Sequence, residues 1–207
     1  MSSITRLLLL RHGEVETRYH RVFGGSQIDM NLSAAGHEQA KHLAAFLEGK
    51  AVDAIYVSPM KRALQTLAPM NAKRGHVPEI VQKLREVDFG DWTGLNWDEV
   101  RVRFNVSAYQ WLHLLDQAAI PNAETGRQFR ARIEPAVKAI LEAQKGKTAA
   151  VVCHGGVIRM ILSILLDLPL PTTSSFEIDY ASITTLSVAS NKTEIKLLNF
   201  APWQHLE

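Results

Sequence analysis

Two apolar runs in this chain end in the same way. Leu7-Leu8-Leu9-Leu10 is followed by Arg11-His12-Gly13, and Ala149-Ala150-Val151-Val152-Cys153 is followed by His154-Gly155. A short continuous apolar run that stops at a turn residue reads as a strand buried on both faces, the kind found in parallel sheets covered by helices. In open sheets of that kind, ligands bind beyond the carboxyl ends of the strands. Each run therefore carries a histidine to a ligand-binding edge. The arginine beside the first one points to chemistry on an anion.

The intervening segments alternate helix and strand patterns. Ile4 to Leu10 reads as a strand. Ser33 to Glu48 reads as a helix, with Gly36, Ala40, Leu43 and Leu47 recurring at spacings of three and four. Val52 to Val57 is a second short strand. Ser58-Pro59 then offers a cap and a first-turn proline for a helix from Pro59 to about Asn71. A third strand is expected over Val77 to Val81, a loop over Arg85 to Gly94, and one or two short helices over Trp97 to Gln117. Thr125 to Lys145 reads as a helix with Ile133, Val137, Ile140 and Leu141 on one face, kinked or restarted by Pro135. Thr148 to Cys153 is a strand and Val157 to Leu166 a helix. Ile183 to Val188 and Ile195 to Leu198 close the sheet. The fold class expected is α/β, with three layers, α/β/α, and a mainly parallel sheet. One domain is expected across residues 1–207, with a helical insertion at about 94–124 beside the site.

Composition removes several function classes. The net charge of +2 and the scattered arginines and lysines do not form the basic face of a nucleic-acid binder. A single cysteine rules out an internal disulfide and fits a reducing compartment. The apolar run before Arg11 is too short for a signal peptide. Val157 to Leu170 is interrupted by Arg159 and Asp167, and it falls short of the roughly 18–20 residues that span a bilayer. A cytoplasmic chain is expected, with a small phosphorylated substrate as partner and no nucleic acid or membrane. Its oligomeric state is left open, a homodimer included.

Four groups fall at the ends of expected elements: Arg11-His12, Arg62 in the first turn of the second helix, Glu86 in the loop 84–92, and His154. Arginines offer planar, permanently charged donors to phosphate oxygens. A neutral histidine is a competent nucleophile. A carboxylic acid can protonate a departing alkoxide. Asp88 and Asp91 compete with Glu86 for that last role.

On these residues the chain resembles the histidine phosphatase superfamily, in its phosphoglycerate-mutase-like branch. Leu10-Arg11-His12-Gly13-Glu14 resembles the family signature. The segment Ser58 to Thr66 resembles its second arginine motif, Leu84 to Gly94 its acid loop, and Val152-Cys153-His154-Gly155-Gly156 its second histidine motif. The order of all four is that of the family, and the likeness spans most of the chain. The resemblance implies a phosphoglycerate-mutase-like fold and hydrolysis of a phosphomonoester, as in the compact phosphatase members. It makes His12 the nucleophile, Glu86 the proton donor and acceptor, and His154 a stabiliser of the transition state. Arg11, Arg62, Arg18 and Gly155 become substrate-binding residues. No cofactor and no metal are implied, because arginines neutralise the charge.

Two positions depart from the family pattern: Val15 replaces a hydroxyl residue and Arg18 a neutral amide. Arg18 is expected either to bind a second anionic group or to point to solvent. Three other readings compete: a phosphoglycerate-mutase-type transferase, a non-catalytic anion-binding module, and a cysteine-dependent phosphatase. The last rests on Cys153-His154-Gly155-Gly156-Val157-Ile158-Arg159, which fits Cys-x-x-Gly-x-x-Arg between a strand and a helix. It leaves Arg11, His12, Arg62 and Glu86 without a role. His20, His37, His42, His76, His113 and His205 read as surface or loop residues, His20 being the one nearest the site. No zinc-binding spacing is present. Trp92, Trp97, Trp111 and Trp203 are expected to pack, Trp92 being the one of the four expected near the pocket wall.

Overall fold

A computed structural model of the chain describes residues 4–74 and 77–204, without the side chains of residues 73 and 74. His76 and His205 lie outside the described residues. The elements, in chain order, are β1 (Thr5–Arg11), α1 (Ala34–Leu47), β2 (Ala54–Val57), α2 (Lys61–Arg74), β3 (Glu79–Ile80), α3 (Trp97–Phe104), α4 (Trp111–Asp116), α5 (Gly126–Ala143), β4 (Thr148–Cys153), α6 (Gly155–Leu165), β5 (Ile183–Ala189) and β6 (Lys192–Phe200).

The strands form one sheet in the order β3-β2-β4-β1-β5-β6. The first four run parallel, while β5 and β6 are antiparallel. The sheet is mainly parallel, as expected, with the antiparallel β5–β6 hairpin closing one edge. Successive leucines of β1 point to opposite faces, as the twofold strand period requires. Leu7 and Leu9 enter one core with α5 and α6, and Leu8 and Leu10 enter the other with α1 and α2. Burying each of these leucines contributes roughly 1.5–3 kcal/mol. That is why a four-leucine run specifies a central strand here.

Local signals set several boundaries. Ser33 caps α1 by accepting from the Gly36 N–H, and Thr125 and Gln128 close a capping box on α5. Helix α5 runs unbroken through Pro135, contrary to the expected restart. Buried Ile133 and Val137 stand on either side of the proline and hold both halves to the core. Ser58 does not cap α2, which begins three residues later. Strand β3 shrinks to two residues because Val77 stands in solvent, 95% exposed. No helix among the described residues is long and apolar enough to cross a membrane.

Candidate active site

The parallel pairing of β1 with β4 places Arg11 opposite Cys153. The next residues, His12 and His154, therefore leave the same edge of the sheet side by side, with ring centroids 5.2 Å apart. Strand β2 pairs with β4 in the adjoining position, Val57 opposite Val152, and delivers Ser58 and then Arg62 to the same edge. A cavity of about 540 Å³ opens there. Arg11, His12, Arg62, Glu86, Gly155 and Arg159 are among its lining residues.

His12 is buried. Its Nδ1 lies 2.8 Å from the Gly13 carbonyl oxygen and donates to it, so Nε2 keeps its lone pair. Burial, with Arg62 and Arg11 nearby, holds the imidazole well below the usual histidine range, against a smaller opposite pull from the Gly13 carbonyl. The ring is therefore neutral at pH 7. Gly13 is fixed by close backbone crossing, since a Cβ there would lie 2.5 Å from the Gly36 carbonyl oxygen at the start of α1.

Arg62 is almost fully buried. Its Nε donates to His154 Nδ1 at 3.1 Å, Nη1 to the Ile28 carbonyl at 3.2 Å and Nη2 to the Gly25 carbonyl at 3.0 Å. Of the five guanidinium N–H groups two remain for an oxyanion. Burial lowers its pKa to about 10, with Glu86 and Asp29 pulling the other way, so the cation persists at neutral pH. Arg11 stacks 4.1 Å over the Tyr180 ring and donates to the Ile178 carbonyl. Trp203 in turn donates to the Tyr180 carbonyl at 2.7 Å and steadies that wall.

His154 stands one layer behind this surface, fully buried and in contact with Arg62 rather than lining the cavity. Because Arg62 donates to Nδ1, the proton of the neutral ring sits on Nε2, which donates to Ser58 Oγ at 2.7 Å. Burial first, and then Arg62, keep this imidazole well below its ordinary pKa. Ser58, read from sequence as a helix cap, instead fixes a tautomer.

Glu86 reaches the cavity from the loop before the short turn at Gly90–Trp92. Its Oε1 accepts from the Val87 N–H and its Oε2 from the Gly156 N–H, each at 3.0 Å. Its two competitors are engaged elsewhere and do not line this cavity. Asp88 accepts from Gln27 and Gly90, and Asp91 from Asn122.

Arg18 is not brought in. Its side chain is 67% exposed, pairs with Glu16 at 3.0 Å and leans over Tyr19. Val15 does line the cavity, and so does His20, whose Nε2 lies 3.0 Å from the Val15 carbonyl oxygen. Cys153 is fully buried among core side chains away from the cavity, and burial pushes its thiol far above the usual range. That removes the thiolate a cysteine-dependent mechanism needs. Arg159 of the same motif does face the cavity, with burial lowering its pKa to about 10. Trp92 is core, and the aromatic wall is made by Phe23, Phe89, Trp97 and Trp111. His37 and His113 are exposed and His42 is half-buried. Among the described residues no group of three or more His, Cys, Asp or Glu side chains is placed to hold a metal ion.

A family model described as histidine phosphatase superfamily (branch 1) matches residues 7–201. The adenosylcobalamin/alpha-ribazole phosphatase of Escherichia coli is 26% identical over 194 residues, covering 94% of this chain and 95% of that one. Phosphoserine phosphatase 1 of Hydrogenobacter thermophilus is 28% identical over 197 residues, covering 95% and 92%. The solved structure of Bacillus stearothermophilus YhfR superposes with a TM-score of 0.84 at 28% identity, covering 93% of this chain and 96% of that one.

Proposed function

The chain belongs to the histidine phosphatase superfamily, branch 1, and on that premise we propose that it hydrolyses a small phosphate monoester through a phosphohistidine at His12. The observation that carries this reading is the free Nε2 lone pair of His12, facing a cavity lined by Arg11, Arg62 and Glu86. In the first step Nε2 bonds to phosphorus as the phosphorus–oxygen bond to the leaving group breaks, and the Glu86 carboxyl gives its proton to the departing oxygen. In the second, Glu86 takes a proton from water, the water oxygen bonds to phosphorus, and the nitrogen–phosphorus bond breaks, returning the pair to Nε2. Phosphoryl transfer asks mainly for position and charge. Arg11 and Arg62 neutralise the phosphoryl oxygens without a metal, the first turn of α6 at Gly155 adds its dipole, and His154 acts by aiming Arg62.

Beside His20, Arg21 and Arg159, the cavity is lined by Tyr19, Phe23, Met30, Phe89, Trp97 and Trp111. These side chains fit a leaving group with an apolar or ring-bearing surface. Arg18, one candidate for holding the second phosphate a mutase needs, is turned away to Glu16. The test is release of inorganic phosphate from p-nitrophenyl phosphate, with and without chelator, beside phosphoglycerate isomerisation. Wild-type turnover that survives the chelator, an acid-labile phosphoenzyme in rapid quench and inactivity of His12→Ala are expected. Retained turnover in His12→Ala, or isomerisation outpacing hydrolysis, would overturn the reading.

A further inference from the structure

Residues 86–89 carry the acid Glu86 on backbone with no regular secondary structure. Much of what holds that backbone in place comes from one side chain in a different part of the chain, beside the Ser26 N–H that donates to the Val87 carbonyl. Arg132, two turns into α5, uses all five of its N–H groups. Its Nη1 donates to the Lys83 carbonyl at 2.5 Å and the Arg85 carbonyl at 2.8 Å. Its Nη2 donates to the Glu86 carbonyl at 3.1 Å and to Glu124 Oε2 at 2.9 Å, and Nε donates to Glu124 Oε1 at 2.6 Å. Glu124 also joins the same loop, its N–H donating to the Asp88 carbonyl at 2.9 Å and its Oε2 accepting from the Asp88 N–H. The Phe129 ring lies 4.6 Å beneath the guanidinium.

We propose that the Arg132–Glu124 pair positions the Glu86 carboxyl for proton transfer to the leaving group, an inference that rests on Glu86 being the general acid. An exposed ion pair contributes little to stability, but this one is mostly buried, with side chains 18% and 15% exposed. Three of the five Arg132 donors also end on the carbonyls of residues 83, 85 and 86, at the entry to the acid loop, where one carboxylate partner alone would leave them idle. A lysine offers three donors from one point and no planar fork, so it cannot span residues 83, 85 and 86 together. A second cavity of about 620 Å³ also borders the loop, lined in part by Lys83, Arg85, Glu86, Asp88, Glu124 and Arg132. When the clamp is removed the loop has room to retreat into it, and displacement of the acid by about 1 Å is enough to cost proton transfer.

The test exploits the leaving group. Departure of p-nitrophenolate needs no proton, whereas departure of a simple alkoxide does. The ratio kcat/KM reports the step in which the leaving group departs, so it is measured on an alkyl phosphate and on p-nitrophenyl phosphate. Arg132→Met is expected to lose about 10- to 100-fold on the alkyl ester, part of the 10²- to 10⁴-fold that a general acid supplies, and less than about threefold on the aryl ester. Arg132→Lys should not rescue it. Glu124→Gln, which keeps the shape of the loop partner, should show the same selective loss at smaller size, and it serves if Arg132→Met does not fold. In a Glu86→Gln background Arg132→Met should add nothing on the alkyl ester. Equal losses on both esters, or none on either, would overturn the proposal. If Glu86→Gln itself loses equally on both esters, the general-acid assignment fails as well. If Glu86→Gln discriminates and the Arg132 and Glu124 variants do not, only the clamp fails.

Discussion

Glu86 and Gly156 meet at a separation that only glycine permits. The carboxylate accepts the Gly156 N–H at 3.0 Å, and a Cβ at position 156 would lie 2.5 Å from Oε1 and 3.1 Å from Cδ. The second histidine motif thus supplies the seat of the acid as well as an imidazole.

Gly156→Ala should therefore leave the helix intact, since alanine favours helix over glycine, while pushing the Glu86 carboxyl out of its seat. The expected result is a fall of about 10²-fold in kcat/KM on an alkyl phosphate, with circular dichroism unchanged. Full activity would mean that the carboxyl works from a different place.

Ser58→Ala removes the acceptor for the His154 Nε2 proton at a fully buried position. A buried donor left without a partner costs about 1–3 kcal/mol, to be read from urea unfolding. Freed from that anchor, the imidazole no longer fixes Arg62. A fall of about tenfold in kcat/KM is expected, for aryl and alkyl esters alike, because charge neutralisation serves both.

Both buried imidazoles sit below their ordinary pKa near 6.5, burial being the main cause. As the pH falls below 6.5 the unfolded chain takes up protons that the folded chain refuses. Stability should then decline by about 1.4 kcal/mol per pH unit for each histidine, until the folded pKa values are reached. Above 6.5 these groups contribute no pH dependence. Urea midpoints from pH 7.5 to 4.5, with His12→Ala showing a shallower slope, check this. The same depression keeps His12 nucleophilic, so the acid limb of kcat/KM should bend well below pH 6.5.

Cys153→Ser should keep kcat within about twofold of wild type, since the thiol faces the core and not the cavity. Burying a hydroxyl in its place costs about 1–3 kcal/mol, and the loss should appear in unfolding curves rather than in turnover. Loss of turnover in protein that remains folded would restore the cysteine to consideration.

Much of the architecture was legible because it rests on local chemistry. The leucine run marks β1, Ser33 and Thr125 mark helix starts, and His12 and His154 follow their strands directly. The residues misplaced by sequence reasoning are those decided by distant partners. Ser58 carries the marks of a cap, yet its hydroxyl serves an imidazole 96 positions away. From sequence Arg18 is open between pocket and solvent, and its pairing with neighbouring Glu16 decides for solvent. Trp92 and Trp97 are indistinguishable by type, and only packing sends one to the core and the other to the cavity. Arg132 was missed altogether, because backbone carbonyls nearly 50 positions away leave no trace in residue identity. Its one hint is Glu124, eight positions earlier and so not a neighbour on the same helix.

The pairing of β1 with β4 also governs when activity first arises. His12 lies near the amino end, while the strand that sets its partner beside it is completed only at Cys153, and β5 must then flank β1 from the other side. A growing polypeptide thus carries His12 through the synthesis of β2, β3 and five helices before His154 exists to stand beside it. The pocket should therefore form only once β4 and β5 have both entered the sheet, one on each side of β1.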